Sequence, residues 1–369
     1  MRVLIIPDKF KGTLPADRVA RAIATGWRRV RPRDHLELLP MSDGGDGFGS
    51  VIGGLLGAVT RTRSTFDAAL RPCRARWWWV AQSQTAILET AQSNGLALLP
   101  RGQFHPFELD TSGIAELVRA ATDSNAKTCV IGVGGSATND GGFGLARALG
   151  WRFLDNAGKE IDRWTALEQL EELAPPPAGM LPDCRYIVAT DVSNPLLGPR
   201  GASRIYGPQK GLRPEDMELA ERCLGRLAAV VRRSLRFDSR KPGCGAAGGL
   251  GFGFQAFLNA ERRLGFDVYA ELARLEQRIA KADLVITGEG SVDCSSLMGK
   301  GVGQLLELCE RHGCPVVALG GRIDLGRTRP RALLDARALL DIADEPTALA
   351  HPARLLAQLA AGIASHLPG

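Results

Sequence analysis

Six glycine-rich loops contain most of the residues in this sequence that could take part in chemistry. The loops begin at residues 7, 42, 132, 190, 243 and 287 and read PDKFKGTL, SDGGDGF, GVGGSATNDGG, TDVSNPLLGPRGASRIYGPQKG, GCGAAGGLGFG and TGEGSVDCSSLMGK. Carboxylate oxygens are ligands that Mg²⁺ prefers, and lysines neutralise the charge of a phosphoryl group in transfer. Glycines let backbone N–H groups approach a phosphate closely. These residue types therefore indicate phosphoryl transfer to a small molecule.

Two nucleotide-binding fingerprints offer other interpretations of these loops. The sequence contains no GxxxxGK[ST] loop, because the Gly-Lys pair that ends at Lys300 has the wrong spacing and the wrong following residue. Gly132, Gly134 and Ala137 match the dinucleotide pattern after a predicted strand. Asp155 lies about where a ribose-binding acid would stand, but the segment TNDGG separates the match from the next predicted helix. An NAD-dependent oxidoreductase of a small hydroxy acid is therefore the alternative function.

The composition of the 369-residue chain is typical of a globular protein, with 45% hydrophobic residues, 23% charged residues and a net charge of +6. The basic residues are spread out and no aromatic-basic motif accompanies them, so we expect no nucleic-acid binding. No apolar run reaches the roughly 18–20 residues of a membrane span, and MRVLIIP is too short for a signal peptide. We therefore expect a cytoplasmic protein without a membrane partner. The cysteines form no CxxC pair and the histidines avoid the loops, which argues against a zinc site or a Ser-His-Asp triad.

The elements that must position these loops alternate between strands and helices at both ends of the chain. RVLIIP and HLELLPM are predicted strands, and helical patterns over PADRVARAIATGWRRV and DGFGSVIGGLLG follow them. Three strand-like runs without helices begin near residue 58, which indicates antiparallel or mixed pairing; a helix is predicted at 165–173. The α/β pattern returns near residue 265 and includes a predicted strand at 338–343. We predict an α/β protein in which residues 1–58 and 265–369 form one domain and residues 59–264 an inserted α/β domain.

Taken together, the six loops resemble, in order and spacing, the motifs of the bacterial glycerate kinase family of the glycerate 2-kinase type. The similarity extends from the first strand to about Asp324. It implies ATP-dependent phosphorylation of D-glycerate, usually at the 2-hydroxyl to give 2-phosphoglycerate, with 3-phosphoglycerate left open. It also implies a flavodoxin-like, parallel-sheet domain that holds both termini, a second mixed α/β domain, and an active site in the interdomain cleft. We further expect ATP and Mg²⁺ to be required and the protein to form a homodimer.

The motif positions and the chemistry of these residue types together give each candidate residue an expected role, and these roles are our hypothesis. Glycerate binding is expected at Asp8, Lys11, Asn194, Arg204, Gln209 and Lys210. Catalytic roles are expected for Asp191, Lys11 and Lys300, with Asp191 acting on the 2-hydroxyl as a base or an orienting group. ATP phosphates are expected at the backbone of Gly134, Gly135, Ser136, Gly248 and Gly249, and Mg²⁺ at Glu289, Asp293 and Asp43. The spacing does not determine which loop binds the nucleotide and which binds glycerate.

Two positions depart from the family motifs. Asp46 stands where the family usually has Glu, which keeps the negative charge. Cys294, Ser295 and Ser296 stand where the family usually has a residue followed by Gln-Thr. This second departure removes a glutamine amide that could contact the substrate or a metal-bound water. Glu89, in the predicted strand TAILE, either faces the site or is a buried, hydrogen-bonded acid.

Overall fold

The computed structural model describes residues 1–180, 183–293, 296, 301–326 and 329–367. The chain forms two compact units, one made of Met1–Asp43 and Gly265–Gly369 and the other of Gly44–Leu264. Both units are built of strands and helices, so the predicted α/β class is confirmed. No helix in the described part of the chain is long and apolar enough to span a membrane.

The strands of the described residues are β1 (Arg2–Pro7), β2 (His35–Leu38), β3 (Val59–Phe66), β4 (Pro72–Val80), β5 (Thr85–Glu89), β6 (Thr128–Gly132), β7 (Arg152–Leu154), β8 (Glu172–Ala174), β9 (Arg185–Ala189), β10 (Glu261–Arg263), β11 (Leu284–Gly288), β12 (Ser291–Asp293), β13 (Val316–Gly320), β14 (Arg322–Asp324) and β15 (Leu333–Ala338). The helices are α1 (Ala16–Val30), α2 (Phe48–Leu55), α3 (Ala91–Asn94), α4 (Ile114–Asp123), α5 (Phe143–Ala148), α6 (Ala202–Tyr206), α7 (Met217–Leu235), α8 (Ala246–Phe257), α9 (Gly265–Leu272), α10 (Leu275–Ile279), α11 (Gly301–Arg311), α12 (Glu345–Ala350) and α13 (Pro352–His366).

The unit that contains both termini is built on a five-stranded parallel sheet in the order β2-β1-β11-β13-β15. Numbered along the chain, these five strands have the order 2-1-3-4-5 of flavodoxin-like folds. All residues of β11 and β13 are buried, which is expected for strands of a parallel sheet covered on both faces. The predicted flavodoxin-like sheet is therefore confirmed.

Helix α1 covers this sheet with the apolar stripe of its sequence. Val19, Ile23 and Trp27 recur at four-residue spacing and are fully buried. The helix packs against α13, and a Cβ at Gly26 would overlap the backbone oxygen of Ala357. The close approach of the two helices therefore explains a glycine in the middle of α1, where glycine otherwise weakens a helix.

The second unit is built on a six-stranded mixed sheet in the order β10-β9-β6-β5-β4-β3. The strands β5, β6, β9 and β10 are parallel, whereas β3, β4 and β5 pair antiparallel in sequence order. The parallel strands end in register, since Glu89 is level with Gly132 and Gly132 with Ala189. Ala189 is in turn level with Arg263. The loops that follow these four strands therefore start side by side along one edge of the sheet.

The boundary between the units differs from the prediction. The division falls between Asp43 and Gly44, so the residues 44–58 belong to the second unit with their helix α2. This helix packs on β4 and β5, and a Cβ at Gly49 would overlap the ring of Trp78. A short apolar helix carries no sequence signal for the sheet it covers, which is why its assignment to the terminal domain was wrong.

Two predicted elements have a different structure. The segment expected to be a helix at 165–173 is a 3₁₀ helix at Trp164–Gln169 followed by β8. The strand expected at 338–343 lies earlier, and the predicted residues instead enter a 3₁₀ turn at Leu339–Asp341. The sequence ALLD occurs both at 332–335 and at 338–341. Only the pairing of β15 with β13 selects the first copy.

Candidate active site

The first group of motif residues lies at the switch point of the parallel sheet, where the strand order reverses between β1 and β11. Pro7 and Gly288 end these strands as a register pair, and the Asp8 N–H donates to the Gly288 carbonyl at 2.8 Å. Asp8 and Glu289 thus follow two neighbouring strand ends, at the edge where open α/β sheets bind ligands. The parallel pairing brings together two loops that are separated by most of the sequence.

Acidic side chains dominate this switch point. Burial raises the pKa of Asp8 from its usual 3.8 to about 7, and the negative charges of Asp43 and Glu289 add to the rise. Lys9 opposes this rise through its positive charge and through its backbone N–H, which donates to the Asp8 carboxylate. The Lys9 ammonium group also lies 3.6 Å from an Asp43 oxygen. Two further carboxylates therefore act on that of Asp8. Within the described residues, however, no three His, Cys, Asp or Glu side chains are arranged as a metal site.

Asp293 stands at the end of the short strand β12 and binds Ser296. Its Oδ1 accepts a hydrogen bond from the N–H of Ser296 at 3.0 Å. The Ser296 side chain is buried, and its hydroxyl donates to the Ser291 carbonyl at 3.1 Å. Ser296 therefore keeps a hydroxyl where the family's threonine would have one, and this hydroxyl is hydrogen-bonded within the loop.

The two lysines predicted for this unit have different outcomes. Lys11 lies in the loop after β1 and its side chain is exposed; a Cβ at Gly290, in the loop after β11, would lie 3.4 Å from the Lys11 backbone nitrogen. Lys300 lies outside the described residues, as do Cys294 and Ser295 of the departing motif. The loops of this unit therefore bring Lys11 to the same sheet edge as Asp8.

The second group of motif residues lies at the carboxyl end of the mixed sheet. The loop after β6 packs against the loop before α2, since the Gly134 N–H donates to the Gly44 carbonyl at 3.1 Å. A Cβ at Gly134 would lie 2.5 Å from the Gly45 Cα, and one at Gly135 would overlap the Asp46 carboxylate. Gly135 also has a φ of +71°, which other residues rarely adopt. Two separate motifs therefore need glycine because their loops form one packed structure.

The loop after β6 also presents backbone donors. The N–H groups of Gly135 and Ser136 donate to no acceptor within the described residues. The N–H group of Ala137, by contrast, binds the Asn94 carbonyl at 2.8 Å. Successive free N–H groups beside a residue in the left-handed conformation form a concavity that binds anions. The geometry is consistent with phosphate binding at the N–H groups of Gly135 and Ser136, whereas the N–H group of Gly134 already binds the Gly44 carbonyl.

Lys210, which was expected to bind glycerate, is instead a buried lysine that supports this loop. Only 6% of its surface is exposed, and its Nζ donates to the Ser136 Oγ at 2.8 Å and to the Thr138 carbonyl at 2.6 Å. Burial lowers the pKa of Lys210 from 10.5 to about 7, while the negative charge of Asp140 opposes this shift. Lys210 therefore lies in the interior of the unit, and glycerate binding by its side chain stays a prediction.

Asp140 is a fully buried acid that fixes the same loop to its neighbours. Its carboxylate accepts two hydrogen bonds from Thr111 and one each from the N–H groups of Gly142 and Gly144, at 2.7 to 3.0 Å. Burial raises the pKa of Asp140 to about 6, the charge of Asp110 adds to the rise, and these hydrogen bonds oppose it. This motif aspartate therefore has a structural role.

Asp191 follows β9 directly and is half-buried. The carbonyl groups of the two residues that flank it are held by Arg262 on β10. The Nη2 of Arg262 donates to the Thr190 carbonyl at 3.1 Å and to the Val192 carbonyl at 3.4 Å. The sequence patterns did not identify Arg262, because it belongs to none of the glycine-rich loops. Only the pairing of β10 with β9 places it beside Asp191.

The other residues that were expected to bind glycerate in this unit differ in their exposure. Asn194 holds its own loop, since its Nδ2 donates to the Arg200 carbonyl at 2.7 Å and its Oδ1 accepts from the Tyr206 hydroxyl at 2.9 Å. Both ends of its amide are engaged. Arg204 on α6 and Gln209 in the 3₁₀ turn that follows are exposed. The last two are accessible to a ligand, whereas Asn194 shapes the loop.

Gly248 and Gly249 interrupt α8 and pack against the loop after β6. Their φ values are +70° and +86°. A Cβ at Gly248 would overlap the Thr138 carbonyl, and one at Gly249 would lie 2.7 Å from the Gly141 Cα. Both glycines are therefore required by the packing of two loops. The segment expected to be a pure loop is helical beyond this kink, so the loop prediction for residues 250–253 was wrong.

Glu89 is a buried acid at the end of β5, with 3% of its surface exposed. Its carboxylate accepts hydrogen bonds from the N–H groups of Gly47 and Gly49 at 3.0 and 2.9 Å, at the start of α2. A negative charge stabilises the N-terminus of a helix. Of the two interpretations of Glu89, the structure favours the structural one.

The dinucleotide interpretation fails on the position of Asp155. The strand before it, β7, pairs antiparallel with β8 in a separate two-stranded sheet. The Asp155 Oδ1 accepts the N–H groups of Ala157 and Lys159, each at 2.9 Å, and closes a tight turn. The acid that a dinucleotide ribose needs therefore does not follow a neighbouring strand of the main sheet.

The fold and these two groups of residues define an α/β enzyme with the residue types of phosphoryl transfer. One unit carries acidic side chains at the switch point of its sheet, and the other carries a loop with free backbone N–H groups. The sequence model of the glycerate kinase family matches residues 3–367. The chain belongs to the glycerate kinase family.

Individual relatives agree with this assignment. The chain is 36% identical to a glycerate kinase of Bacillus subtilis (strain 168), over 88% of this chain and 85% of the relative. It is 36% identical to a glycerate 2-kinase of Escherichia coli (strain K12), over 88% of this chain and 86% of the relative. A crystal structure described as glycerate kinase 2 from Salmonella typhimurium LT2 matches 99% of this chain and 97% of that chain, with a TM-score of 0.84 and 33% identity. These comparisons do not support the oxidoreductase alternative.

Proposed function

We propose that this protein transfers the γ-phosphoryl group of ATP to the 2-hydroxyl of D-glycerate and forms 2-phosphoglycerate and ADP. The observation that carries the proposal is the pair of free N–H groups at Gly135 and Ser136, in a chain whose relatives are named glycerate kinases. The 2-position follows the name of the Escherichia coli relative. Phosphorylation at the 3-hydroxyl is the alternative outcome for the same substrate.

In this proposal the nucleotide phosphates bind at the backbone N–H groups of Gly135 and Ser136. Hydrogen bonds from N–H groups to phosphate oxygens are charge-assisted, and fixed donors need little reorganisation when charge develops in the transition state. Gly248 and Gly249 contribute indirectly, because they pack against residues 138–141 and thereby support the loop. Lys300 was expected to act beside the phosphates, and this role stays a prediction.

Glycerate binding requires a positive charge for its carboxylate and a group that acts on its hydroxyl. We assign the first task to the exposed side chains of Lys11 and Arg204, and contacts with the remaining hydroxyl to Asp8 and Gln209. Asp191 orients the 2-hydroxyl and accepts its proton. The Arg262 guanidinium holds the carbonyl groups of Thr190 and Val192 and thereby fixes the backbone from which the Asp191 carboxylate extends.

We also propose that Asp43, Glu289 and Asp293 hold Mg²⁺. The donor set fits this ion, because all three residues offer carboxylate oxygens and the charges of Asp43 and Glu289 both act on the carboxyl group of Asp8. Mg²⁺ needs only one or two protein carboxylates when phosphate oxygens and water supply its other ligands. When bound, the ion neutralises charge on the phosphates. We expect Glu289→Gln to raise the Mg²⁺ concentration for half-maximal activity about tenfold, and Glu307→Gln, on the exposed face of α11, to leave it unchanged.

A coupled assay with D-glycerate, ATP and Mg²⁺ tests the proposed function directly. We expect ADP to form only when D-glycerate is present, and NMR of the product to show the phosphate on carbon 2. A 3-phosphate product would correct the position and leave the substrate unchanged. Absence of ADP formation with D-glycerate, in a protein that binds ATP, would contradict the proposal.

The role of Asp191 is tested by Asp191→Asn. We expect kcat to fall about 100-fold or more with a smaller change in the KM for glycerate, because the group acts on the reacting hydroxyl. Asp183→Asn is the matched control, since Asp183 is an exposed acid near the opposite end of the same strand. An unchanged kcat in Asp191→Asn would remove this residue from the mechanism.

Two expectations from the sequence stay predictions. The first is a homodimer, which light scattering on the purified protein tests by its mass. The second is a cytoplasmic location, which fractionation of the source cells tests.

A further inference from the structure

Ser136 combines three features that make it a donor to an anion. Its backbone N–H has no acceptor within the described residues, and neither does that of Gly135 before it. Its hydroxyl oxygen lies 2.8 Å from the Nζ of Lys210. The residue is 5% exposed, so its remaining surface is confined to a small area of the loop.

The direction of the hydrogen bond between Lys210 and Ser136 is fixed by chemistry. A protonated lysine has three N–H donors and no acceptor, so the Ser136 Oγ must accept. The hydroxyl proton of Ser136 must then point away from Lys210. Within the described residues no acceptor binds this proton, so it is available to a ligand. The second Nζ donor binds the Thr138 carbonyl at 2.6 Å, which fixes the ammonium group beneath the loop.

The surroundings of Lys210 give this arrangement its energetic weight. The ammonium group is almost completely removed from water, and burial lowers the pKa of Lys210 to about 7. Asp140 is the acidic group that acts on it, and Asp110 acts in turn on Asp140. A buried cation without a bound anion is costly. An anion at the free N–H groups of Gly135 and Ser136 would therefore offset part of this cost.

We infer that Lys210 is a positioning residue that acts through Ser136, and that the Ser136 hydroxyl joins the N–H groups of Gly135 and Ser136 in binding a phosphate oxygen of ATP. The identity of the anion rests on the proposed function. Lys210 itself does not touch the nucleotide. Its ammonium group directs the serine proton outwards and supplies positive charge behind the loop.

A double-mutant cycle tests whether Lys210 acts through Ser136. The probe is adenylyl imidodiphosphate, a non-hydrolysable ATP analogue, and its dissociation constant is measured by calorimetry without glycerate. We expect Ser136→Ala and Lys210→Met each to weaken binding about tenfold or more, because each removes a hydrogen bond to a charged group or its support. In the double variant, Lys210→Met should add less than about twofold.

Two results would overturn the inference. If Lys210→Met weakens binding by the same factor in both backgrounds, the lysine supports the loop independently of Ser136. If the single variants raise the KM for glycerate and leave the analogue's affinity unchanged, the donors bind the substrate carboxylate instead. Lys241→Met is the matched control, since Lys241 is an exposed lysine of the same unit, and we expect it to leave the affinity unchanged.

The pH dependence of binding supplies a test that does not need a Lys210 variant to fold. When Lys210 loses its proton, its neutral amine can accept the serine proton and turn the hydroxyl away from the anion. The affinity of the wild-type protein for the analogue should therefore fall as the pH rises through about 7. Ser136→Ala should lose this dependence, whereas Ser136→Thr, which keeps a hydroxyl, should retain it. The same slope in wild type and Ser136→Ala would contradict the inference.

These measurements also separate the inference from the proposed function. Binding of the analogue is measured without turnover. A protein that shows the coupling between Ser136 and Lys210 but does not phosphorylate D-glycerate would refute the proposed substrate and leave this inference standing. A protein that phosphorylates D-glycerate but lacks this coupling would refute the inference and leave the proposed function standing.

Discussion

The two units of the molecule hold their motif residues in opposite ways. In the unit with both termini, the motif side chains stand at a strand edge: Lys11 is exposed, and Asp8, Asp43 and Glu289 are half-buried. In the unit formed by Gly44–Leu264, several motif side chains hold the loops in place through hydrogen bonds. Asp140 and Lys210 bind residues of neighbouring loops, and Asn194 binds its own loop.

The contrast shows that the presence of a charged residue in a motif does not by itself mean that the residue contacts substrate. Where side chains provide the chemistry, a loop leaves them at the surface. Where the backbone provides it, buried polar side chains and close-packed glycines must hold the N–H groups in place, because unsatisfied buried groups are costly. Substitutions of the buried residues that hold the loops of the second unit should therefore act mainly on stability, and substitutions of exposed motif side chains such as Lys11 mainly on activity.

The largest expected effect on stability is that of Asp140→Ala. The change leaves four buried hydrogen-bond donors without their acceptor, and we expect it to lower the free energy of unfolding by about 4 kcal/mol. Urea unfolding followed by circular dichroism measures it. Asp155→Ala is the control, because Asp155 also accepts two backbone N–H groups but lies in a surface turn, and we expect a loss of about 1 kcal/mol. Equal losses of stability in the two variants would contradict the claim that the buried acid is the more important one for the fold.

The next largest effect is expected for Gly248→Ala. Its Cβ would overlap the Thr138 carbonyl, and its φ of +70° is strained for alanine, so we expect a loss of about 3 kcal/mol. Gly225→Ala is the matched control, since Gly225 lies in α7 with open space around it. We expect that change to be neutral or to stabilise the protein by up to about 1 kcal/mol. Thermal unfolding of both variants measures the contrast, and a fully stable Gly248→Ala would disprove the packing argument.

A smaller effect is expected from the pH dependence of Lys210. Its pKa falls from 10.5 in the unfolded chain to about 7 in the folded protein. Between these values the unfolded chain binds the extra proton, so the contribution of this group to the free energy of unfolding rises with pH and is lowest below about pH 7. The rise should be about 1 kcal/mol per pH unit, measured as the stability of wild type minus that of Lys210→Met between pH 7 and 9. A difference that stays constant over this range would show that Lys210 is not buried.

The smallest effect on stability, but a clear effect on activity, is expected for Lys11→Ala. The side chain is exposed, so the free energy of unfolding should change by less than about 0.5 kcal/mol. The kcat/KM for D-glycerate should fall about tenfold or more, because a charged contact to the substrate carboxylate is lost. Steady-state kinetics and urea unfolding of the same preparation separate the two quantities. A loss of stability without a loss of activity would reverse the proposed distinction between the units.

The sequence was sufficient for much of the fold where periodicity was strong. Helix α1 was readable from the spacing of Val19, Ile23 and Trp27, and the order of strands and helices at the two ends predicted the parallel sheet. Weak or repeated patterns gave wrong results. The two copies of ALLD cannot be distinguished locally, and α2 was assigned to the wrong unit because an apolar helix does not specify the sheet that it covers.

The sequence predicted which loops form the candidate site better than it predicted the role of each residue in them. The loops at residues 134–136 and after β1 and β11 do lie at strand ends, which the strand-loop-helix order had indicated. The burial of Lys210 was not predictable, since lysines are rarely buried and nothing in its own loop indicated a partner at Ser136. Arg262 escaped notice because its function depends on a strand pairing and not on a motif.

By itself, the sequence determined which residue types are present, their order, and the local elements that carry them, because hydrophobic periodicity and glycine content act over a few neighbouring residues. Tertiary structure decided which of those residues are exposed and which are used to hold a loop. Burial, register and hydrogen-bond partners depend on segments that are distant in the chain. Lys210 and Lys11 are both motif lysines in glycine-containing loops, and only the packing around them makes one an internal support and the other a surface cation.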